Sequence, residues 1–229
     1  MASDQQGYAG SGGGELSVFT PEAGARSETV SLLLGQVMFL VAIALGFFTL
    51  GAYIGRDLAY ETGLWCEIGA IAMLFGQAFV PALRTGTIAV VWLYALALLL
   101  GIGLGPVIDY YASYDQTVLY QAAGGTALTV AGMGAFGFAT SKDLVRWARP
   151  LFWGFLVVIL ISWLYVLIGS GGDLVLSLAI YVFASAFLAI NFQYLRRHAG
   201  ADDAVWIATG IFINVVNIFL ALLRIFGGR

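Results

Sequence analysis

The chain has 229 residues, of which 61% are apolar and 10% charged, with a net charge of -3. A soluble domain carries about a quarter charged residues, so one core could not hide this much apolar surface, and lipid must solvate most of the chain. No basic excess points to nucleic acid. A single cysteine, Cys66, excludes an intramolecular disulfide or multi-cysteine metal site, and a single histidine, His198, excludes a multi-histidine centre. No cofactor is implied. One lysine stands against nine arginines, a skew expected of a GC-rich prokaryotic genome.

Residues 1–29 are rich in Gly, Ser and Gln and hold no apolar run. They read as a flexible cytoplasmic tail and not as a cleaved signal peptide. Residues 30–229 then form a membrane domain. Spanning the hydrocarbon takes about 20 apolar residues in a helix, and seven such runs occur near 31–53, 64–80, 87–108, 118–140, 150–169, 173–192 and 204–226. A backbone in lipid must satisfy its hydrogen bonds internally, so these runs predict helices and not strands. The fold class is all-α, a seven-helix bundle whose short connections make consecutive helices neighbours.

Small residues recur at close-approach spacing: Gly51 and Gly55, Gly101 and Gly105, and the run "GGTALTVAGMGAFG". They predict tight helix contacts. "GIGLG" lies inside an apolar run without a Lys-Ser/Thr after it, so it is not a phosphate loop. With the N-terminus inside, the cytoplasmic segments hold Arg26, Arg84, Lys142, Arg146, Arg149, Arg196 and Arg197, and the outer segments Arg56, Arg224 and Arg229. Seven against three predicts a multi-pass plasma-membrane protein with a cytoplasmic N-terminus and an outer C-terminus. The stretch 109–117, with Asp109 and Asp115 and no basic residue, reads as an outer loop.

Polar residues at membrane depth are few and costly. Glu67 lies early in the second run, Arg84 just past its end, Asp109 at the end of the third, and Asn191 late in the sixth. In the seventh, Asn214, Asn217 and Arg224 fall within an arc of about 80°. That face cannot meet lipid, which places the last helix inside the bundle. A short loop makes helices six and seven antiparallel, at a spacing where Asn191 and Asn214 reach similar depth and can hydrogen-bond. Two readings stand side by side: these amides fasten helices together, or they line a conduction or sensing site. Arg224 has the further reading of a side chain snorkelling to the headgroups, and Arg84, Arg196 and Arg197 that of inner-face anchors.

In order along the chain, "LLGIGLGPVIDYYA", "GGTALTVAGMGAFGFATSKDL", "NFQYLRR" and "FINVVNIFLALLRIFGG" resemble the hallmark segments of the Bax-inhibitor-motif membrane proteins. The resemblance covers residues 30–228 and implies a seven-helix bundle with the C-terminal helix central. It implies one of two activities: a calcium leak gated by pH, or, in a bacterial branch that the "GLGPVI" and "GGTAL" wording is closer to, restraint of a membrane-anchored AAA protease. Leak members carry two facing aspartates; by motif these positions are Asn191 and Asn214. Two aspartates can share a proton and titrate as a pair, whereas two carboxamides hold no titrating proton. Glu67 and Arg84 match a second-helix glutamate and a neighbouring basic residue, and Arg84 is expected to reach the amides from the cytoplasmic side.

The expected function is therefore a calcium leak or channel protein without the di-aspartyl sensor, or else a non-conducting regulator that binds a membrane protease. Its partners are the bilayer, with calcium or other cations in the first case and a membrane protease complex in the second. The pore or gate residues are Asn191, Asn214, Asn217, Glu67, Arg84, Arg224 and Asp109. An enzyme finds no support: there is no histidine cluster, no Gly-x-Ser-x-Gly and no pair of intramembrane carboxylates.

Overall fold

The computed structural model describes residues 21–167 and 174–228. Seven long helices run in chain order: α1 (Pro21–Gly55), α2 (Tyr60–Phe79), α3 (Gly86–Tyr114), α4 (Gln116–Ala139), α5 (Ala148–Leu167), α6 (Leu174–Arg197) and α7 (Ala204–Phe226). Short 3-10 turns at Pro81–Leu83, Val145–Trp147 and Ala201–Asp203 lead into α3, α5 and α7. All seven are long and apolar enough to cross a bilayer, and no strand occurs among the described residues.

Two boundaries differ from expectation. The helix at the N-terminus begins at Pro21, inside the stretch read as a tail; residues 1–20 lie outside the described ones. At 35 residues α1 is roughly 52 Å long, well beyond the ~30 Å hydrocarbon, so its polar first turns project past the membrane. The expected outer loop at 109–117 is almost entirely helix. α3 runs to Tyr114 and α4 starts at Gln116, leaving Asp115 as the single joint. Asp115 makes that sharp reversal workable, because its Oδ1 accepts the Val118 amide at 3.3 Å and caps α4.

The bundle is built around two contacts. In the first, α1 lies flat on α3, the most extensive helix pair in the protein. Gly51 and Gly55 of α1 face Gly101 and Gly105 of α3 so closely that a Cβ at any of the four would collide with the opposing backbone. Lipid supplies no hydrophobic drive between helices, so dispersion at this close range holds them together. Pro106, inside α3, cannot donate to the carbonyl of Ile102, and that carbonyl lies directly against Gly55. On its other side α3 receives α2, where Gly63 meets the Gly103 carbonyl and the Trp92 indole donates to the Met73 carbonyl at 3.1 Å.

The second contact surrounds α7, which packs on α6, α4, α1 and α3. Two-thirds of its span is buried inside the protein, more than for any other helix (67%). Ile211, Phe212, Ile218 and Leu223 are fully enclosed, and Phe212 meets Phe48 of α1 edge to face. The C-terminal helix is thus the centre of the bundle. α6 is held to α4 by a close approach of Gly137 to the Ala189 carbonyl and by a hydrogen bond between the Thr129 and Tyr181 hydroxyls at 3.0 Å.

Substituting Gly101→Val should lower stability by about 3 kcal/mol, the upper range for overpacking, because backbone stands in the way. Gly46→Val, where a Cβ has open space, should change it by less than about 0.5 kcal/mol. Thermal unfolding of the two variants in the same detergent compares them; equal melting points would remove α1–α3 contact from its central place.

Candidate functional site

The polar residues gather at three levels along α7. At the end where α7 begins, Gln77 of α2 is completely buried and its Nε2 donates to the Leu83 carbonyl at 3.1 Å and to the Thr209 hydroxyl at 3.2 Å. Its Oε1 is buried without a partner among the described residues. Thr209 passes its own proton to the Val205 carbonyl at 2.9 Å. Beside it, Arg84 folds back on the end of α2. Its Nε donates to the Gln77 carbonyl at 3.0 Å, a second nitrogen reaches the Ala78 carbonyl, and the guanidinium lies 4.9 Å from the centre of the Trp206 ring. The reason is local: Pro81 stops the helix, the last carbonyls lose their partners, and a nearby arginine supplies donors and complements the dipole. Arg84 therefore caps α2 and does not reach the asparagines. Its guanidinium is committed a full turn closer to the membrane surface.

The end of α4 is closed in the same way from α6. Gln193 is fully buried, its Oε1 accepting the Leu144 amide at 2.7 Å and its Nε2 donating to the Lys142 carbonyl at 2.6 Å. Arg196 donates to the carbonyls of Phe138 and Thr140, and Arg197 to those of Thr140 at 3.0 Å and Ser141 at 2.9 Å. α4 ends without a glycine cap, at extended Thr140, so its carbonyls depend on these side chains. Arg196 and Arg197 are thus structural caps for α4.

The second level is the α6–α7 contact. Asn191 lies on Gly210: a Cβ at Gly210 would stand 3.2 Å from both its Nδ2 and its Oδ1. Asn214 is buried and its Nδ2 donates to the Gly210 carbonyl at 2.8 Å, within its own helix. The two asparagines therefore flank one glycine, but no hydrogen bond joins them among the described residues. The expected equal depth is off by one turn. α6 continues to Arg197, so Asn191 is level with Gly210, and Asn214 sits four residues, or about 6 Å, further along. Asn217 is half-buried on the same face of α7.

The third level is the opposite end. The stem of Glu67 rests on Gly103 of α3, and the opposite charge acting on its carboxylate is Arg224 of α7. They stand farther apart than the 4 Å of an ion pair. Asp109, half-buried on α3, contributes to the field at Arg56. Arg56 donates to Asp57 at 3.1 Å, and this hydrogen bond pushes its guanidinium further above its ordinary pKa. Glu67, Arg224 and Asp109 thus lie towards the end of the bundle where α7 finishes, separate from the amides, while Arg84 belongs to the opposite end. Gln77, Gln193 and Thr209 were not singled out from the sequence. The usable signal was a glutamine shortly before an arginine near a helix end, seven residues before Arg84 in "GQAFVPALR" and three before Arg196 in "FQYLRR".

Such a bundle, with an amide-bearing helix as its axis and arginine caps at one end, is an integral membrane protein. The chain belongs to the family described as Inhibitor of apoptosis-promoting Bax1, whose profile matches residues 30–229. It is similar to an uncharacterized protein of Pseudomonas aeruginosa, 27% identical over 89% of this chain and 92% of that one. It is likewise similar to an uncharacterized membrane protein of Vibrio cholerae, 26% identical over 88% and 92%. The modulator of FtsH protease YccA of Escherichia coli is 28% identical over 85% of this chain and 89% of its own length.

Replacing Gln193 by Ala should strand the Leu144 amide and the Lys142 carbonyl. Loss of a hydrogen bond near 1.5 kcal/mol should speed hydrogen exchange at Leu144 by about tenfold, with the amides of α1 unchanged. An unaltered rate at Leu144 would mean that the loop is held by the arginines alone.

Proposed function

We propose that this protein is a non-enzymatic regulator in the cell membrane that binds a membrane-anchored protease of the FtsH kind and modulates its action. The observation that carries this reading is the packing of α7. Its interior side chains are fully enclosed, and where it meets α6 the polar groups are carboxamides, Asn214 donating to its own backbone and Asn191 lying on Gly210, so that level offers no charged switch. A regulator needs no passage through that axis. The full-length similarity to the E. coli modulator supports the same reading. In this reading the N-terminus faces the cytoplasm, which is supported by Arg84, Lys142, Arg146, Arg149, Arg196 and Arg197 all lying at the end of the bundle where α1 begins.

A second reading, a calcium or cation leak, is favoured by one observation: the half-buried carboxylate of Glu67 lies between α2, α3 and Arg224, and carboxylate and amide oxygens are ligands for hard cations. In that reading Asn191, Asn214 and Asn217 line the path, and Arg224 and Asp109 set the field at its outer end.

Reconstitution with an FtsH-type protease and a membrane substrate tests the first reading. Degradation should change by at least about threefold when this protein is added, roughly the effect of a sub-kcal/mol coupling; an identical rate, with no crosslinked complex, rejects it. Liposome calcium flux tests the second. Any flux should vary by less than about twofold between pH 6 and 8, because no carboxamide titrates there. In the Asn191→Asp, Asn214→Asp variant, flux should rise with pH, since two ionised carboxylates repel and loosen the α6–α7 contact. A steep response in the unaltered protein would place the gate elsewhere.

A further inference from the structure

α5 is the least enclosed helix of the bundle. Only 6% of its span is buried inside the protein, against 17–67% for the others, and it packs chiefly on α6. Its outward seam is ordered. Arg146, Arg149, Trp153, Val157, Leu160 and Leu164 recur at three- and four-residue spacing, the repeat of one helix face, and all six are exposed. The basic pair stands at the membrane-surface end, the aromatic residue comes next, and the aliphatic residues follow towards mid-bilayer.

The basic pair is unpaired within the protein. Among the described residues the side chains of Lys142, Arg146 and Arg149 make no hydrogen bond and no ion pair. Asp143 is the one carboxylate between 140 and 150, and its Oδ1 is occupied by the Val145 amide at 3.1 Å. Arg146 lies in the turn that precedes α5 and Arg149 in its first turn, where the helix dipole disfavours cations. The segment that carries Lys142 is itself fixed, since Gln193 holds Lys142 and Leu144 from both sides. Cations without a partner among the described residues, at the head of an apolar, aromatic-headed stripe, have the charge and shape complement of one amphiphile.

We propose that this seam binds an anionic phospholipid of the adjoining leaflet. Its phosphate would sit on Arg146 and Arg149 with Lys142 beside them, and an acyl chain would lie along Trp153, Val157, Leu160 and Leu164. The lipid then supplies α5 with the anion and the packing that the rest of the bundle leaves out. Arg196 and Arg197 lie at the same end but are engaged with the α4 carbonyls, so they do not form the site.

The full-length protein in vesicles provides the test, with brominated phosphatidylglycerol or brominated phosphatidylcholine as quencher at equal mole fraction. Trp153 and the exposed Trp147 report on the seam. Phosphatidylglycerol should quench more strongly, and the fitted preference should fall about a hundredfold, to near equality, in the Lys142→Gln, Arg146→Gln, Arg149→Gln variant, given the usual contribution per basic group at an anionic surface. The preference should vanish when Trp147→Phe and Trp153→Leu are combined, and should survive millimolar inorganic phosphate. Equal quenching by the two lipids overturns the proposal, as does a preference that persists in the triple variant or in the double tryptophan variant. Loss to inorganic phosphate overturns it as well, in favour of a soluble anion. Should the triple variant fail to insert, Arg149→Gln alone should lower the preference about fivefold, and no change there counts against the site. The measurement contains no protease, so its outcome is independent of the regulatory reading.

Discussion

A backbone carbonyl or side-chain amide removed from water must find its partner inside the protein, and in lipid there is no second chance at the surface. That constraint organises this bundle. It puts α7, the helix with the most polar face, at the axis. It also decides how helices end. α2 and α4 stop without glycine caps, and the carbonyls they leave are met by Arg84, Arg196 and Arg197. Each such bond to a charged donor contributes about 1.5–3 kcal/mol, more than a typical interhelical bond between neutral groups. Residues that the positive-inside rule accounts for by charge alone are therefore also fastenings between elements distant in sequence.

The same constraint explains why the amides and the charges are kept apart. Asn191 and Asn214 meet on the bare backbone of Gly210, where α6 and α7 approach closely. Glu67 and Arg224 are confined to the opposite end, near water. A charge placed at the α6–α7 level would find no free counterion in Arg84, which lies beside Trp206 of α7 but is committed to the end of α2. The central contact therefore remains electrically neutral.

Much of the architecture was legible in the sequence. Seven apolar runs gave seven helices, the glycines at 51, 55, 101 and 105 found one another, and the polar face of the last helix placed it at the centre. What the sequence hid was register and helix length. Aspartates and tyrosines near residue 110 look like loop, yet they sit at the aqueous edge where a helix can continue among polar groups, so α3 runs on to Tyr114. The extra turn of α6 past Phe192 shifts Asn191 away from Asn214, which periodicity alone does not reveal. Gln77 and Gln193 escaped notice because glutamine near a membrane edge ordinarily faces headgroups; only the folded packing shows both completely enclosed.

The single-residue joint at Asp115 has a consequence for how the protein is made. With no slack between α3 and α4, neither helix can settle across the membrane while the other waits outside. The pair is built to enter the bilayer as one hairpin, with the Asp115 carboxylate that caps α4 at its tip.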